Sequence, residues 1–226
     1  MRNAMDIGNG FMLTTDNSGG IGEKAGDYVS VPDNVTAYFA ARVALLEQWA
    51  ANAEPVTVLI HNFSGSKSWE KYVQGVEDLF REAGLKKTTI TGSSETNMDL
   101  IQSAVAVTMI GKKNPAPNHD DIQWFTYGIP LVGSEVTEQA HKIASLRKIR
   151  EAMDIGMIDK LWPVGSRGIL AEARELTQND NLSVESIVDV EKSAGPATVV
   201  IVGIPTSQIQ NAYAHFGEFF YELHMK

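Results

Sequence analysis

The sequence predicts a mixed α/β protein built as two units, and three observations carry that prediction. The first half alternates apolar, β-branched runs with stretches of helical period, in the order strand, loop, helix, strand, helix, strand, strand. The segment from Lys112 to Asp121, with Asn114-Pro115-Ala116-Pro117-Asn118 inside it, has the composition of a linker. A second, smaller set of helices and strands follows. The units are therefore expected at residues 1–113 and 114–226.

The elements follow in order. Residues 9 to 15 read as a strand entering the glycine-rich stretch Gly19-Gly20-Ile21-Gly22. Val31-Pro32 punctuates the chain, and Asp33 is the expected N-cap of a helix to about Ala51. Its alanines keep a helical period, which implies close packing. After Pro55, Val56-Thr57-Val58-Leu59-Ile60 predicts a buried strand. Ser66 to Ala83 predicts a helix with Trp69, Tyr72, Val73, Val76, Leu79 and Phe80 on one side and Gly84 closing it. Thr88 to Ile90 is a short strand. Leu100 to Ile110 is a long one, with Ile101, Val105, Val107 and Met109 opposite the smaller face of Gln102, Ala104, Ala106 and Thr108. That second face is suited to a helix or to a subunit interface. In the second unit, Ser134 to Met153 predicts a long helix, Ile169 to Leu176 a shorter one, and Thr198 to Ile204 a strand. A final helix from Ser207 is expected to carry Ile209, Ala212, Tyr213, Phe216, Phe219 and Phe220 on one face.

Composition narrows the function. The 226 residues are 43% hydrophobic and 21% charged, which is ordinary for a water-soluble globular chain. No apolar run approaches a bilayer span, and the first residues hold no secretory core, so a cytoplasmic protein without membrane contact is expected. The absence of cysteine excludes disulfides, thiolate nucleophiles and cysteine-ligated metals. A net charge of −9, with no basic stripe, argues against nucleic acid as a partner. Such a chain meets a polyanion by holding Mg²⁺ on carboxylates.

Asp16 leads the candidate residues. It follows an apolar run and opens Asp16-Asn17-Ser18-Gly19-Gly20-Ile21-Gly22-Glu23-Lys24, where glycines free the backbone to curl round an oxyanion. The same residues also read as an ordinary turn. Asp16 as a cation ligand, with the amides of Gly20 and Gly22 and the ammonium of Lys24 toward phosphates, is the functional reading. Glu47, within the alanine-rich helix, and Glu95, after Gly92-Ser93-Ser94, lie in the same unit. Three carboxylates would suit Mg²⁺, which prefers oxygen ligands. His61-Asn62, at a strand end, offers an imidazole near neutrality and an amide to orient a substrate, and Asp33 is a further candidate. Phe63-Ser64-Gly65-Ser66-Lys67-Ser68 fails the frame of a phosphate-binding P-loop. Gly165-Ser166-Arg167-Gly168 reads as a helix-entry turn whose arginine could meet a phosphate or a carboxylate.

These spaced motifs resemble the PurM-like (aminoimidazole ribonucleotide synthetase-like) superfamily of ATP-binding enzymes. Thr14-Thr15-Asp16 with Gly20-Ile21-Gly22-Glu23-Lys24 is similar to its ATP loop. Ala44 to Pro55 is similar to its helix segment, with Glu47 where the family usually has a metal-binding aspartate and Asn52 where it has glycine. Ser94-Glu95-Thr96 resembles its Gly-Glu-Thr segment. Phe39 to Glu47 and Ser193-Ala194-Gly195-Pro196 look most like the bacterial α-ribazole kinases of cobalamin salvage. The resemblance implies a PurM-like first domain, a reduced second domain, and a homodimer binding ATP and Mg²⁺ at its interface. It implies transfer of phosphate to the 5′-hydroxyl of a nucleoside-like substrate. Asp16, Lys24, Asp33 and His61 would then serve the chemistry. Asp16, Gly20, Gly22, Lys24, Glu47, Asn62 and Glu95 would bind the nucleotide, with Asp16, Glu47 and Glu95 on the metal. A kinase of thiamine monophosphate and a nucleotide-binding regulator without catalysis are the alternatives.

Overall fold

The computed structural model describes residues 4–115, 119 and 121–226; Ala116, Pro117, Asn118 and Asp120 of the expected linker lie outside the described residues. The chain divides into two compact units, Met1–Asn114 and Pro115–Lys226. Among the described residues, no helix is long and apolar enough to cross a membrane.

The first unit is built on β1 (Ala4–Gly8), β2 (Phe11–Gly19), a parallel pair of short strands β3 (Ile21–Gly22) and β4 (Val29–Ser30), then α1 (Asp33–Ala50) and β5 (Ala53–Asn62). A 3₁₀ turn at Ser66–Ser68 leads into α2 (Trp69–Glu82), followed by β6 (Thr89–Ser94) and β7 (Ala104–Lys113). Five strands form one mixed sheet in the order β1-β2-β7-β5-β6, parallel only between β5 and β6. Both helices cover the same face. Met12, Val58, Ile60, Val105, Val107 and Met109 point into it and are buried, and the Thr14 hydroxyl donates to the Ala44 carbonyl of α1 at 2.8 Å. Alternate residues point to the opposite face, as strand period requires. There Leu13, Leu59, Ile110, Thr57 and Thr108 remain half-exposed and Met5, opposite Leu13, is 56% exposed.

Several elements depart from the sequence reading. The first strand runs on through Gly19, because β7 pairs with it along its whole length, so Asp16 lies within the sheet and not in the loop. Pro32 takes the N-cap backbone conformation, and Asp33 is the first helical residue. The helix before Gly84 closes on Ala83. The amides of Gly84 and Leu85 return to the carbonyls of Arg81 and Phe80, with Gly84 at a φ of 68°. Pro55 does not precede the strand but sits inside β5 beside a bulge. Leu100–Ser103 is not strand; this stretch bonds instead to the glycine-rich loop, which leaves Ile101 83% exposed. Gly92 belongs to β6, where a Cβ would stand 1.9 Å from the Ile60 carbonyl oxygen.

In the second unit, β8 (Ile122–Tyr127) is followed by α3 (Glu135–Glu138), α4 (Leu146–Asp154), β9 (Lys160–Pro163), α5 (Gly168–Thr177), β10 (Val184–Glu185), β11 (Val200–Pro205), α6 (Ile209–Phe216), β12 (Phe220–Glu222) and β13 (His224–Met225). Four of these strands form an antiparallel sheet, β12-β8-β11-β9, and β10 pairs with β13. Every residue of the central β11 is buried, which explains its unbroken apolar run. The expected helix from Ser134 to Met153 is broken. The Ala144 amide donates to the Thr198 carbonyl and Ser145 caps a new helix at the Lys148 amide, so tertiary hydrogen bonds override the period. The last helix stops at Gly217, and Phe220 reaches the core from β12, stacked on Phe125 at 4.7 Å and on Phe216 at 4.9 Å. Arg167 meets carboxylates, Glu175 and Glu172, and His215 bonds the Lys148 carbonyl at 2.8 Å.

Candidate functional site

The glycine-rich loop folds back on the segment before β7, and acid side chains hold the two together. Asp27 accepts from the Ser103 amide at 2.7 Å through one carboxylate oxygen and from the Lys24 amide at 2.9 Å through the other. The Gln102 side chain donates to the Gly26 carbonyl at 2.8 Å, and the Gly20 amide donates to the Ser103 carbonyl at 2.8 Å. Lys24 is half-buried and its ammonium donates to the Leu100 carbonyl at 2.6 Å. Lys24 and Gly20 thus build the loop itself.

Behind the loop stands the start of α1. The Asp33 amide, one of the donors a helix N-terminus leaves unpaired, donates to Glu23 at 3.1 Å, and the Asp33 carboxylate accepts from the Glu23 amide at 3.3 Å. Glu23 also pairs with Lys71 of α2. That hydrogen bond, followed by the Asp33 amide, lowers the Glu23 carboxyl below its ordinary value, and it raises the Lys71 ammonium. Tyr72, next along α2, hydrogen-bonds its hydroxyl to the Ser64 hydroxyl at 2.6 Å. Burial first, then the negative field of Asp33, Asp27 and Glu23, pushes the phenol up to about 12. Asp33 is 3% and Ser103 1% exposed, and the Ser103 hydroxyl oxygen has no hydrogen-bond partner.

Gly22 makes this approach possible. A Cβ there would stand 2.5 Å from the Ser103 Oγ and 2.9 Å from an Asp33 carboxylate oxygen, and its φ of 154° belongs to glycine. The Ser103 side chain and an Asp33 carboxylate oxygen therefore both lie against Gly22.

The residues singled out from the sequence are distributed over several places. Asp16 points to the helix-covered face of β2, half-buried and engaged in a polar interaction. Glu47 is 3% exposed and also engaged. Glu95 follows β6, where its carboxylate accepts from the amides of Asn97 at 2.6 Å and Met98 at 3.2 Å. Strands β7 and β5 lie between β2 and β6, and the register sets Asp16 level with Gly92, so the backbones of Asp16 and Glu95 stand more than about 14 Å apart. Among the described residues no group of three His, Asp or Glu side chains is arranged to hold a metal, so one chain does not bring the trio together. His61 is exposed on the open sheet face, between Ala106 and Ser93, opposite to the face that Asp16 joins. Asn62 is 1% exposed and saturated: it donates to the Gly65 carbonyl at 2.8 Å and the Ser94 hydroxyl at 2.9 Å, and accepts from the Ser64 amide at 2.8 Å. Asp33 and Gly22 come together, joined by Asp27, Ser103, Lys71 and Tyr72, which the sequence reading passed over. The spacing of Asp27 three residues after Lys24, a turn acid beside glycine, was the signal available for one of them.

No family model matches the sequence, and no curated protein matches it. Solved structures do. A HypE–HypF complex is similar at a TM-score of 0.68 and 12% identity, covering 98% of this chain and 86% of that one. Hydrogenase maturation protein HypE in complex with ATP is similar at 0.65 and 14% identity, over 98% of this chain and 78% of that one. Thiamine monophosphate kinase from Aquifex aeolicus is similar at 0.66 and 10% identity, over 100% of this chain and 88% of that one. Likeness at these identities is a likeness of backbone, and it runs through both units: the chain has the mixed α/β PurM-like fold.

Proposed function

We propose that this chain uses Mg-ATP to phosphorylate the hydroxyl of a nucleoside-like alcohol, with the 5′-hydroxyl of α-ribazole as the first acceptor to test. One observation carries the reading: nearly all of this chain matches the fold of an ATP complex and of a kinase, over 78% and 88% of those chains. The choice of α-ribazole rests on the sequence resemblance of Phe39 to Glu47 and of Ser193 to Pro196.

On this reading the chain's own contribution is alignment and charge, which is most of what phosphoryl transfer asks of a protein. The loop around Gly20 and Gly22 faces the phosphates. Lys24, whose ammonium is bonded to the Leu100 carbonyl, contributes positive charge beside the loop. Mg²⁺, when bound, would neutralise the phosphate oxygens. Asp16, Glu47 and Glu95 would hold it only in a site completed by a second copy, since in one chain β7 and β5 stand between Asp16 and the end of β6, where Glu95 follows. The open sheet face, with Met5, Leu13, Leu59 and Ile110, supplies a surface for a dimer, whose seam would lie across the sheet from Asp16 and Glu47 on the helix-covered side. His61 lies on that face and is the candidate there for orienting the alcohol.

A coupled assay offering α-ribazole, thiamine monophosphate and unmodified nucleosides with Mg-ATP tests the reading. Turnover of α-ribazole alone supports it; turnover of thiamine monophosphate alone replaces the acceptor. Light scattering that finds a concentration-independent monomer removes the shared site. The separation of the carboxylates in one chain favours a second reading, a nucleotide-binding regulator. Calorimetric binding of ATP without turnover of any acceptor would establish that one instead.

A further inference from the structure

We propose that a cleft in the second unit, lined by α6, β12 and the segment after β10, is a binding site for a small, flat organic cation. Every residue of the cleft belongs to that unit, so the proposal is independent of the nucleotide reading.

The walls are apolar and aromatic. The cleft measures about 410 Å³, and Ile187, Tyr213, Phe220 and Tyr221 line it. The Ser186 hydroxyl donates to the Glu222 carbonyl at 3.0 Å, which ties the segment after β10 to β12 along the cleft. Ile187 is 80% and Tyr213 37% exposed, and both give apolar surface to the same concavity rather than lying scattered. Tyr213 is held at both ends: its ring stands edge-on to Phe220 at 5.4 Å and to Phe125 at 5.8 Å, and its hydroxyl donates to Glu222 at 3.0 Å. A ring fixed in this way is a wall formed in advance, which lowers the cost of binding. The volume suits one small molecule, at the lower end of the roughly 300–1,000 Å³ of ligand sites.

The charges choose the sign of the ligand. Glu185 and Glu222 both border the cleft. Glu185 is neutralised by Lys226, whose ammonium bonds it at 2.7 Å and holds its carboxyl below the ordinary value. Glu222 meets no lysine or arginine among the described residues. Its partners are the Tyr213 hydroxyl and, at 3.5 Å, the His224 imidazole, and neither carries a fixed positive charge. Burial, then the hydrogen bond to Glu222 and its charge, raises the Tyr213 phenol. The cleft therefore sets one uncompensated carboxylate beside an aromatic wall. A cation on a flat apolar body satisfies both, because the carboxylate and the ring faces attract the charge while the walls cover the body. An anion would be repelled by Glu222, and a neutral ring would gain the walls alone.

The test follows backbone amide resonances of the full chain at about pH 8, where imidazoles are ordinarily neutral. Three probes share one ring: benzamidinium, benzamide and benzoate. Benzamidinium is expected to shift the amides of Ser186, Ile187 and Glu222. It should bind about 5-fold tighter than benzamide, the scale of one exposed ion pair, with benzoate weaker than both. Glu222→Gln keeps an oxygen for the Tyr213 hydroxyl and removes the charge, so benzamidinium should fall to the level of benzamide while benzamide is unchanged. Ile187→Ala, at a position exposed to solvent, should weaken benzamidinium and benzamide alike by about 3-fold. Absence of shifts around the cleft at millimolar benzamidinium, or shifts that Ile187→Ala leaves unaltered, overturns the site. Equal binding of the three probes, or a benzamidinium affinity that survives Glu222→Gln, reduces the cleft to an apolar surface and overturns its preference for a cation.

Discussion

Replacing Asn62 by alanine distinguishes a ligand-binding amide from a structural one. Its side chain closes three hydrogen bonds, to the Gly65 carbonyl, the Ser94 hydroxyl and the Ser64 amide, all between 2.8 and 2.9 Å. At about 1 kcal/mol net for each, their loss costs about 3 kcal/mol. Ser64 is buried, so its stranded amide pushes the cost toward about 4–5 kcal/mol. That is a large share of the 5–15 kcal/mol that stabilises an ordinary domain. With a urea slope of roughly 2 kcal/mol per molar, the midpoint of the first unit should fall by about 1.5–2.5 M. Urea unfolding followed by hydrogen exchange, read on peptides covering β5 and β6, isolates that unit from the second. Asn62→Asp should recover little, because it loses the two donor contacts. An alanine variant with an unchanged midpoint but ATP binding weakened tenfold would refute the structural assignment and return Asn62 to the ligand.

Further outcomes follow from the same geometry. Gly92→Ala should destabilise the first unit by about 3 kcal/mol or more, because its Cβ would lie 1.9 Å from backbone oxygen; an unchanged melting temperature would show that β6 is not registered on Ile60. Tyr38 and Tyr72 are both raised to about 12, chiefly by burial. Their stabilising contribution is complete below the unfolded value near 10 and is lost as pH rises through about 12. Ultraviolet titration should show two phenols still protonated well above pH 10. In the second unit, burial pushes the Asp159 carboxyl up, but hydrogen bonds from His119 at 2.6 Å and from Lys160 prevail and hold it below its ordinary value. The stability it contributes is present above about pH 4 and is lost as pH falls through the depressed value, so Asp159→Asn should flatten the acid limb of thermal melts between about pH 4 and pH 2. Asp16→Asn should fold normally and lose Mg-dependent turnover by about 100-fold if the shared site forms, by analogy with removed transition-state electrostatics. Near-normal turnover would take Asp16 out of the mechanism.

Local chemistry made much of the first unit legible in the sequence. Helices α1 and α2 follow the spacing of their apolar residues, and Gly84 ends α2 through a backbone conformation that glycine adopts at little cost. Central strands β5 and β11 announce themselves as apolar runs because they are covered on both sides or paired on both edges. Short strands such as β1, β9 and β12 carry no such signal, since pairing partners far along the chain define them. The same cause broke the helix expected across Ala144, whose amide is claimed by Thr198.

The candidate site divides along this line. Sequence alone marked the glycine-rich loop, the acids and Asn62 as polar groups in unusual places, since burying them demands partners. Which partners they find depends on strand parity and register, which no local spacing encodes. One residue of offset puts His61 on the open face and Asn62 into a closed hydrogen-bond set, while Asp16 turns under α1. Only the folding of Leu100–Ser103 onto the loop brings Ser103 against Gly22 beside Asp33, because residues 70 positions apart then meet on the two sides of a glycine with no side chain to hold them off.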